Sequence, residues 1–139
     1  MKTVAAGGVV VRDLGVWDTN DVDLDYELDM AATRLDALMT ALVELQPQAR
    51  VILAQLPPIN DAAEDARCVT YNQAIVATVQ AHHDQGEAVT TVDLHSAITT
   101  AELADKLHPN DVGYAKVALC FTEVGGAGNE QRRPYVASR

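Results

Sequence analysis

The densest group of chemically competent side chains is Asp105-Lys106-Leu107-His108-Pro109-Asn110-Asp111-Val112-Gly113-Tyr114. An aspartate and a histidine three apart on one loop can turn toward each other. The carboxylate then accepts the imidazole Nδ1 hydrogen and fixes its tautomer, leaving Nε2 free as a general base. Pro109 stiffens the exit, and Asn110 or Asp111 caps the helix that anchors the loop. Asp105 and His108 would supply two of the three members of an acyl-transfer triad. A bare Asp-x-x-His has a plainer reading, a loop histidine beside a solvated acid.

A nucleophile is harder to find. The chain holds two serines, Ser96 and Ser138. Ser138 lies near the C-terminus, whereas Ser96 precedes Asp105 closely enough for the chain to bring it near the pair. Its ordinary reading is a turn or helix-start hydroxyl. Thr19 is a further candidate, although its β-methyl makes it a poor nucleophile without activation. The remaining option is water activated directly by His108. His82, His83 and Asp84 read as an exposed helix end, because adjacent side chains on a helix diverge and no third ligand follows at a natural spacing. His95 lies near the expected site, but one histidine does not make a metal centre, so no metal site is expected.

These residues need elements to hold them. Val9 to Val16 reads as a β-branched strand interrupted by Arg12 and Asp13. A polar turn follows at Asp18-Thr19-Asn20-Asp21. A helix then starts near Tyr26, with Leu28, Ala31, Leu35, Leu38, Leu42 and Leu45 on one buried face, and Pro47 ends it. Val51 to Leu56 is an apolar run suited to a strand buried on both faces. A second helix is expected from Asp61 to Ala81, with Val69, Ile75, Val76 and Val79 inward, and a third strand from Val89 to Leu94. A loop with short helical turns carries Ala97 to His108, and a last helix spans Asp111 to Thr122. This alternation is that of an α/β fold with a parallel sheet. One domain over residues 1–124 and a loose tail over 125–139 are expected.

The extended string from Asp105 to Tyr114 closely resembles the last conserved block of the SGNH (GDSL-type) hydrolases. Asp18-Thr19-Asn20-Asp21 resembles that family's Gly-x-Asn-Asp block. Leu56-Pro57-Pro58, Tyr71-Asn72 and Val92-Asp93-Leu94-His95 resemble further family positions in the right order. The resemblance covers roughly residues 14 to 120. It implies that Asp105 and His108 complete a triad and that the Asn20 amide donates to the oxyanion. It also implies a flavodoxin-like three-layer sandwich, here truncated, with a short parallel sheet of about three to four strands. Short acyl esters would be the substrates, with no cofactor.

Two departures stand out. No Gly-Asp-Ser block, the family's source of the nucleophile, matches anywhere in the sequence, and neither does the second block with its backbone oxyanion donor. Asp18 stands where the family has Gly, placing a carboxylate beside the oxyanion site. The expectations are therefore an esterase with a rebuilt site or an inactive remnant that only binds or self-assembles. In the family's strand order, 2-1-3-4-5, the unmatched first strand would lie beside the strand Val9 to Val16. An open edge there invites pairing, so a homo-oligomer through that strand is expected.

Composition narrows the remaining classes. The 139 residues suit a single core, and a net charge of -10 opposes binding to nucleic acid or an anionic membrane. The opening residues are too weakly patterned for a signal peptide, so a cytoplasmic location is expected if this is the whole product. Cys68 and Cys120 are compatible with one disulfide or with two thiols.

Overall fold

A computed structural model describes residues 9–12 and 28–126 of the protein. Three strands, β1 (Val9–Arg12), β2 (Arg50–Ala54) and β3 (Val89–Val92), form a parallel sheet in the order β1-β2-β3. Val10 pairs with Val51, and Ile52 with Thr90. The connections are helices, α1 (Leu28–Leu45) before β2 and α2 (Ala62–Asp84) before β3. After β3 come a short helix α3 (Leu94–Ala97), a 3₁₀ turn (Thr100–Glu102) and α4 (Asp111–Gly126).

Strand alternation sorts the core into two sides. Val51 and Leu53 of β2 face a cluster with Ala31, Leu35 and Met39 of α1 and Cys68, Tyr71, Ile75 and Val79 of α2. Ile52 and Ala54 face the other way, toward Leu94, Ile98 and the α4 residues Val117, Cys120, Phe121 and Val124. The result is helix, sheet, helix: the three-layer α/β sandwich expected from the sequence. The two cysteines lie on opposite sides of the sheet and both are free thiols, which removes the option of a disulfide between them. Among the described residues, no helix is long and apolar enough to cross a membrane.

Several boundaries and faces differ from expectation, each for a local reason. β2 stops at Ala54 rather than Leu56, because the buried Asn72 side chain takes over the Leu56 backbone. β3 stops at Val92, because the Asp93 carboxylate accepts the Ser96 N–H and starts α3. α4 runs past Thr122 to Gly126, carrying Val124 onto the second core cluster.

On α1, Met39 is fully buried while Leu45 is 74% exposed, so the inward stripe ends a turn early. On α2 the buried stripe is Cys68, Tyr71, Asn72, Ile75, Val79 and His82. Val69 and Val76, expected inward, sit one residue further round and are exposed. Cys68 and the polar Asn72 lie on the buried face, which the positions of the aliphatic residues alone do not mark.

The helix also continues to Asp84, which corrects the reading of His82 as an exposed helix end. His82 is 3% exposed, with Nε2 3.0 Å from Asp36 Oδ1 and Nδ1 bonded to Glu87. Both ring nitrogens face carboxylates, which only accept, so the ring is an imidazolium donating twice. Burial works against that charge. The bonds and negative charge of Glu87 and Asp36 outweigh it, and His82 titrates above its usual range. His83, next to it, is exposed as expected.

The expected strand residues 13–16, the block at Asp18 to Asp21 with Thr19 and Asn20, the start of the first helix near Tyr26, and the tail beyond 126 lie outside the described residues.

Candidate active site

The loops at the carboxyl ends of β2 and β3 converge on one edge of the sheet, where open α/β folds place their ligands. From β2 the chain runs through Leu56-Pro57-Pro58 into the cap of α2. Asn72 fixes this exit: its Oδ1 accepts the Leu56 N–H at 2.7 Å, and its Nδ2 donates to Leu56 O at 3.0 Å. Of the Tyr71-Asn72 pair singled out in the sequence, Asn72 is thus a buried brace for the loop, and Tyr71 is buried beside it. Asp61 caps α2, accepting the N–H groups of Ala63 and Glu64 at 3.0 Å.

The loop bearing Asp105 and His108 is closed at its base. Leu103 and Pro109 form an antiparallel bridge. Ala104 N–H donates to His108 O at 2.7 Å, and Asn110 N–H donates to Glu102 O at 2.8 Å. Asn110, rather than Asp111, caps α4: its Oδ1 accepts Val112 N–H at 3.0 Å and Gly113 N–H at 3.1 Å. Gly113 explains the glycine in the motif. A Cβ there would lie 2.6 Å from Glu102 O and 2.7 Å from Pro109 Cβ, so only glycine lets α4 approach the base of the loop. Lys116 pairs with the Glu102 carboxylate at 2.7 Å, tying α4 to the 3₁₀ turn. On the other flank, Asn60 N–H donates to Lys106 O at 3.0 Å, and Lys106 Nζ meets Glu64 at 2.9 Å.

At the tip, the two predicted partners meet. Asp105 Oδ2 lies 2.8 Å from His108 Nδ1, while Asp105 Oδ1 accepts the N–H groups of Leu107 and His108, each at 2.7 Å. The backbone bond from His108, then that from Leu107, then the imidazole bond hold the Asp105 carboxyl down at about 2. It therefore stays ionised at any working pH. An ionised carboxylate only accepts, so Nδ1 carries the hydrogen and Nε2 presents a lone pair. Among the described residues Nε2 has no hydrogen-bond partner. Both side chains are about half exposed, at 58% for Asp105 and 52% for His108.

Ser96 makes its described hydrogen bond elsewhere, its N–H donating to Asp93 Oδ1 at 3.0 Å. It lines a cleft with Gln55, Asn72, Gln73, Asp93 and His95, and neither Asp105 nor His108 contributes to that lining. The described structure brings Asp105 and His108 together and gives Ser96 other neighbours.

His95 is not alone in space. Its Nε2 is 2.9 Å from Asp65 Oδ1, an atom that also accepts Ile59 N–H at 2.9 Å. Cys68 stands one helical turn beyond Asp65 on α2, and the three groups offer ligand atoms all within 4.8 Å of one another. Burial, and after it the charge of Asp65, push the Cys68 thiol up to about 12, only partly opposed by a bond from Asn72. As a free thiol it is no nucleophile. The sequence reading missed this group because its members come from separate elements. The Asp65/Cys68 spacing of three, one face of a helix, was the available signal.

The model of the GDSL-like Lipase/Acylhydrolase family matches residues 10–116. Among solved structures, a carbohydrate esterase family 3 protein from Talaromyces cellulolyticus aligns with TM-score 0.71 and 23% identity, over 83% of this chain and 56% of that one. An acetyl esterase mutant with an acetate ion aligns with TM-score 0.70 and 25% identity, over 84% and 56%. A family 3 carbohydrate esterase from Clostridium thermocellum aligns with TM-score 0.62 and 25% identity, over 75% and 50%. The chain thus spans about half the length of these structures. No curated protein sequence matches significantly.

Proposed function

Because the chain belongs to the GDSL-like lipase/acylhydrolase family, we propose that it is a carboxylic-ester hydrolase acting on short acyl esters. The observation that carries this reading is the 2.8 Å contact between Asp105 Oδ2 and His108 Nδ1, which leaves Nε2 as the basic atom. The likeness to an acetyl esterase at 25% identity makes acetyl esters the first substrates to try.

In this scheme His108 Nε2 removes the proton from the attacking oxygen as that oxygen adds to the ester carbonyl. The carbonyl electron pair moves onto its oxygen, and Asn20 donates to the resulting oxyanion in the role the family resemblance implies. Collapse of the adduct breaks the bond to the alcohol oxygen, which takes the proton from the His108 imidazolium. Asp105 holds the ring and stabilises its transient charge without itself becoming protonated. The different surroundings of Ser96 favour water as the attacking group. Ser96 and Thr19 are the alternatives, and with either of them an acyl-enzyme would form first and then be hydrolysed by the same base.

A second reading, a module that binds or self-assembles without catalysis, is favoured by the exposure of the Asp105 and His108 side chains, each about half open to solvent. Hydrolysis of p-nitrophenyl acetate by the purified chain, His108→Ala and Ser96→Ala separates the possibilities. The esterase reading expects turnover that His108→Ala loses and Ser96→Ala keeps. Loss in Ser96→Ala with its fold intact would make Ser96 the nucleophile. Equal rates for the wild type and His108→Ala would leave only the non-catalytic reading.

A further inference from the structure

We propose that Asp65, Cys68 and His95 form a binding site for one divalent transition-metal ion of the zinc type. The site is separate from the Asp105–His108 pair and does not depend on ester hydrolysis. It revises the expectation, drawn from the sequence, that the chain holds no metal.

Three features support it. The first is the donor set: a thiol, an imidazole and a carboxylate are the common protein ligands of zinc, and their atoms already lie within 4.8 Å of one another. A thiolate and a carboxylate around a dication give a neutral centre, so no charge is buried uncompensated.

The second is the supporting shell. Ile59 N–H donates to Asp65 Oδ1 at 2.9 Å, and Asn72 Nδ2 lies 3.7 Å from Cys68 Sγ, placed to donate to a thiolate. Such outer bonds orient ligands and tune a bound metal. Asn72 is itself fixed by its two bonds to Leu56. Asp65 and Cys68 project from the first two turns of a capped helix, which gives the site a rigid base.

The third is access. Cys68 is fully buried, whereas the side chains of Asp65 and His95 are 29% and 26% exposed. An ion would enter past these two groups and seat on the sulfur behind them. On binding, the Cys68 proton now directed at Pro57 O leaves to solvent. The imidazole carries its hydrogen on Nδ1 and gives Nε2 to the ion. Three protein ligands leave a fourth position, open on the side of Asp65 and His95.

The test titrates the full purified chain with Co²⁺, read by absorption, and with Zn²⁺, read by calorimetry. The expected result is one ion per chain with a sulfur-to-cobalt charge-transfer band. Cys68→Ser should abolish the band, and Cys120→Ser should keep it. His95→Ala should weaken Zn²⁺ binding by more than about tenfold, since losing even a supporting residue costs that much. His83→Ala should leave binding unchanged. His95→Ala alters a partly exposed position, so it decides the matter even if Cys68→Ser fails to fold. Absence of the band in the wild type, its loss in Cys120→Ser with retention in Cys68→Ser, or wild-type Zn²⁺ affinity in His95→Ala would overturn the proposal.

Discussion

Asp105 grips His108 twice: Oδ2 takes the ring nitrogen Nδ1 at 2.8 Å while Oδ1 takes the backbone N–H of the same residue at 2.7 Å. One carboxylate thus sets both the fold of the loop and the tautomer of the base. Separating the two effects requires a substitution that keeps one and removes the other.

Asp105→Asn does this. Its amide oxygen can still accept the backbone N–H groups of Leu107 and His108, so the loop is expected to hold. Its amide nitrogen opposes Nδ1–H and favours the wrong tautomer. Esterase activity should fall by roughly 10²- to 10⁴-fold, the range that general base catalysis supplies. Thermal unfolding should change little, and proton NMR of the loop amides should remain close to that of the wild type.

The depressed titration of Asp105 fixes its place in the pH profile. A carboxyl lowered to about 2 keeps its stabilising bonds above the unfolded value of 3.8 and loses them as pH falls through about 2. A loss of activity at pH values above 3.8 therefore does not come from protonation of Asp105. Carbon NMR of the Asp105 carboxyl should show a titration midpoint below the ordinary 3.8, and a midpoint at or above it would contradict this assignment.

Gly113 should be intolerant of a methyl group. The added Cβ would sit 2.6 Å from a backbone oxygen, which cannot yield as a flexible side chain would. Gly113→Ala is expected to cost about 1–3 kcal/mol as overpacking and to shift the Asp105–His108 loop. Urea denaturation and esterase assay together check it: both stability and rate should drop.

His82 should make stability depend on pH in the opposite sense to an acid. Its titration point is raised on folding, so its contribution is complete below the usual 6.5 and fades as pH rises through the higher folded value. His82→Gln should be less stable than the wild type near neutrality, by about 1–3 kcal/mol for a partly solvated charged bond network. The gap should narrow in alkaline buffer. A gap that widens with pH would show that the ring is held neutral.

Among the described residues, β1 pairs on one side only, with β2. We propose that its other edge pairs with a second copy of this chain. Gel filtration above micromolar concentration should give about twice the 14.9 kDa chain mass. A single-chain mass would remove this pairing.

What could be read in advance follows physical range. The alternation of Val-rich runs with helical periodicity led to the three-layer sandwich, because burial on both faces of a parallel sheet leaves a continuous apolar run such as Val51 to Ala54. Asp105 and His108 were legible because they are three residues apart and the loop closes on itself. Asn72 stood out by resemblance, but its bond to Leu56 was invisible, since a polar residue on a buried stripe only makes sense once its partner is known. The same applies to His82, whose partner Asp36 lies 46 residues away. Asp65, Cys68 and His95 escaped notice for that reason too.

The most direct test of the account uses p-nitrophenyl acetate with wild type, Asp105→Asn, His108→Ala and the double variant. If the pair acts as one unit, Asp105→Asn slows the wild type strongly but changes nothing once His108 is gone. Equal rates in all four proteins, or independent losses that simply multiply, would contradict it.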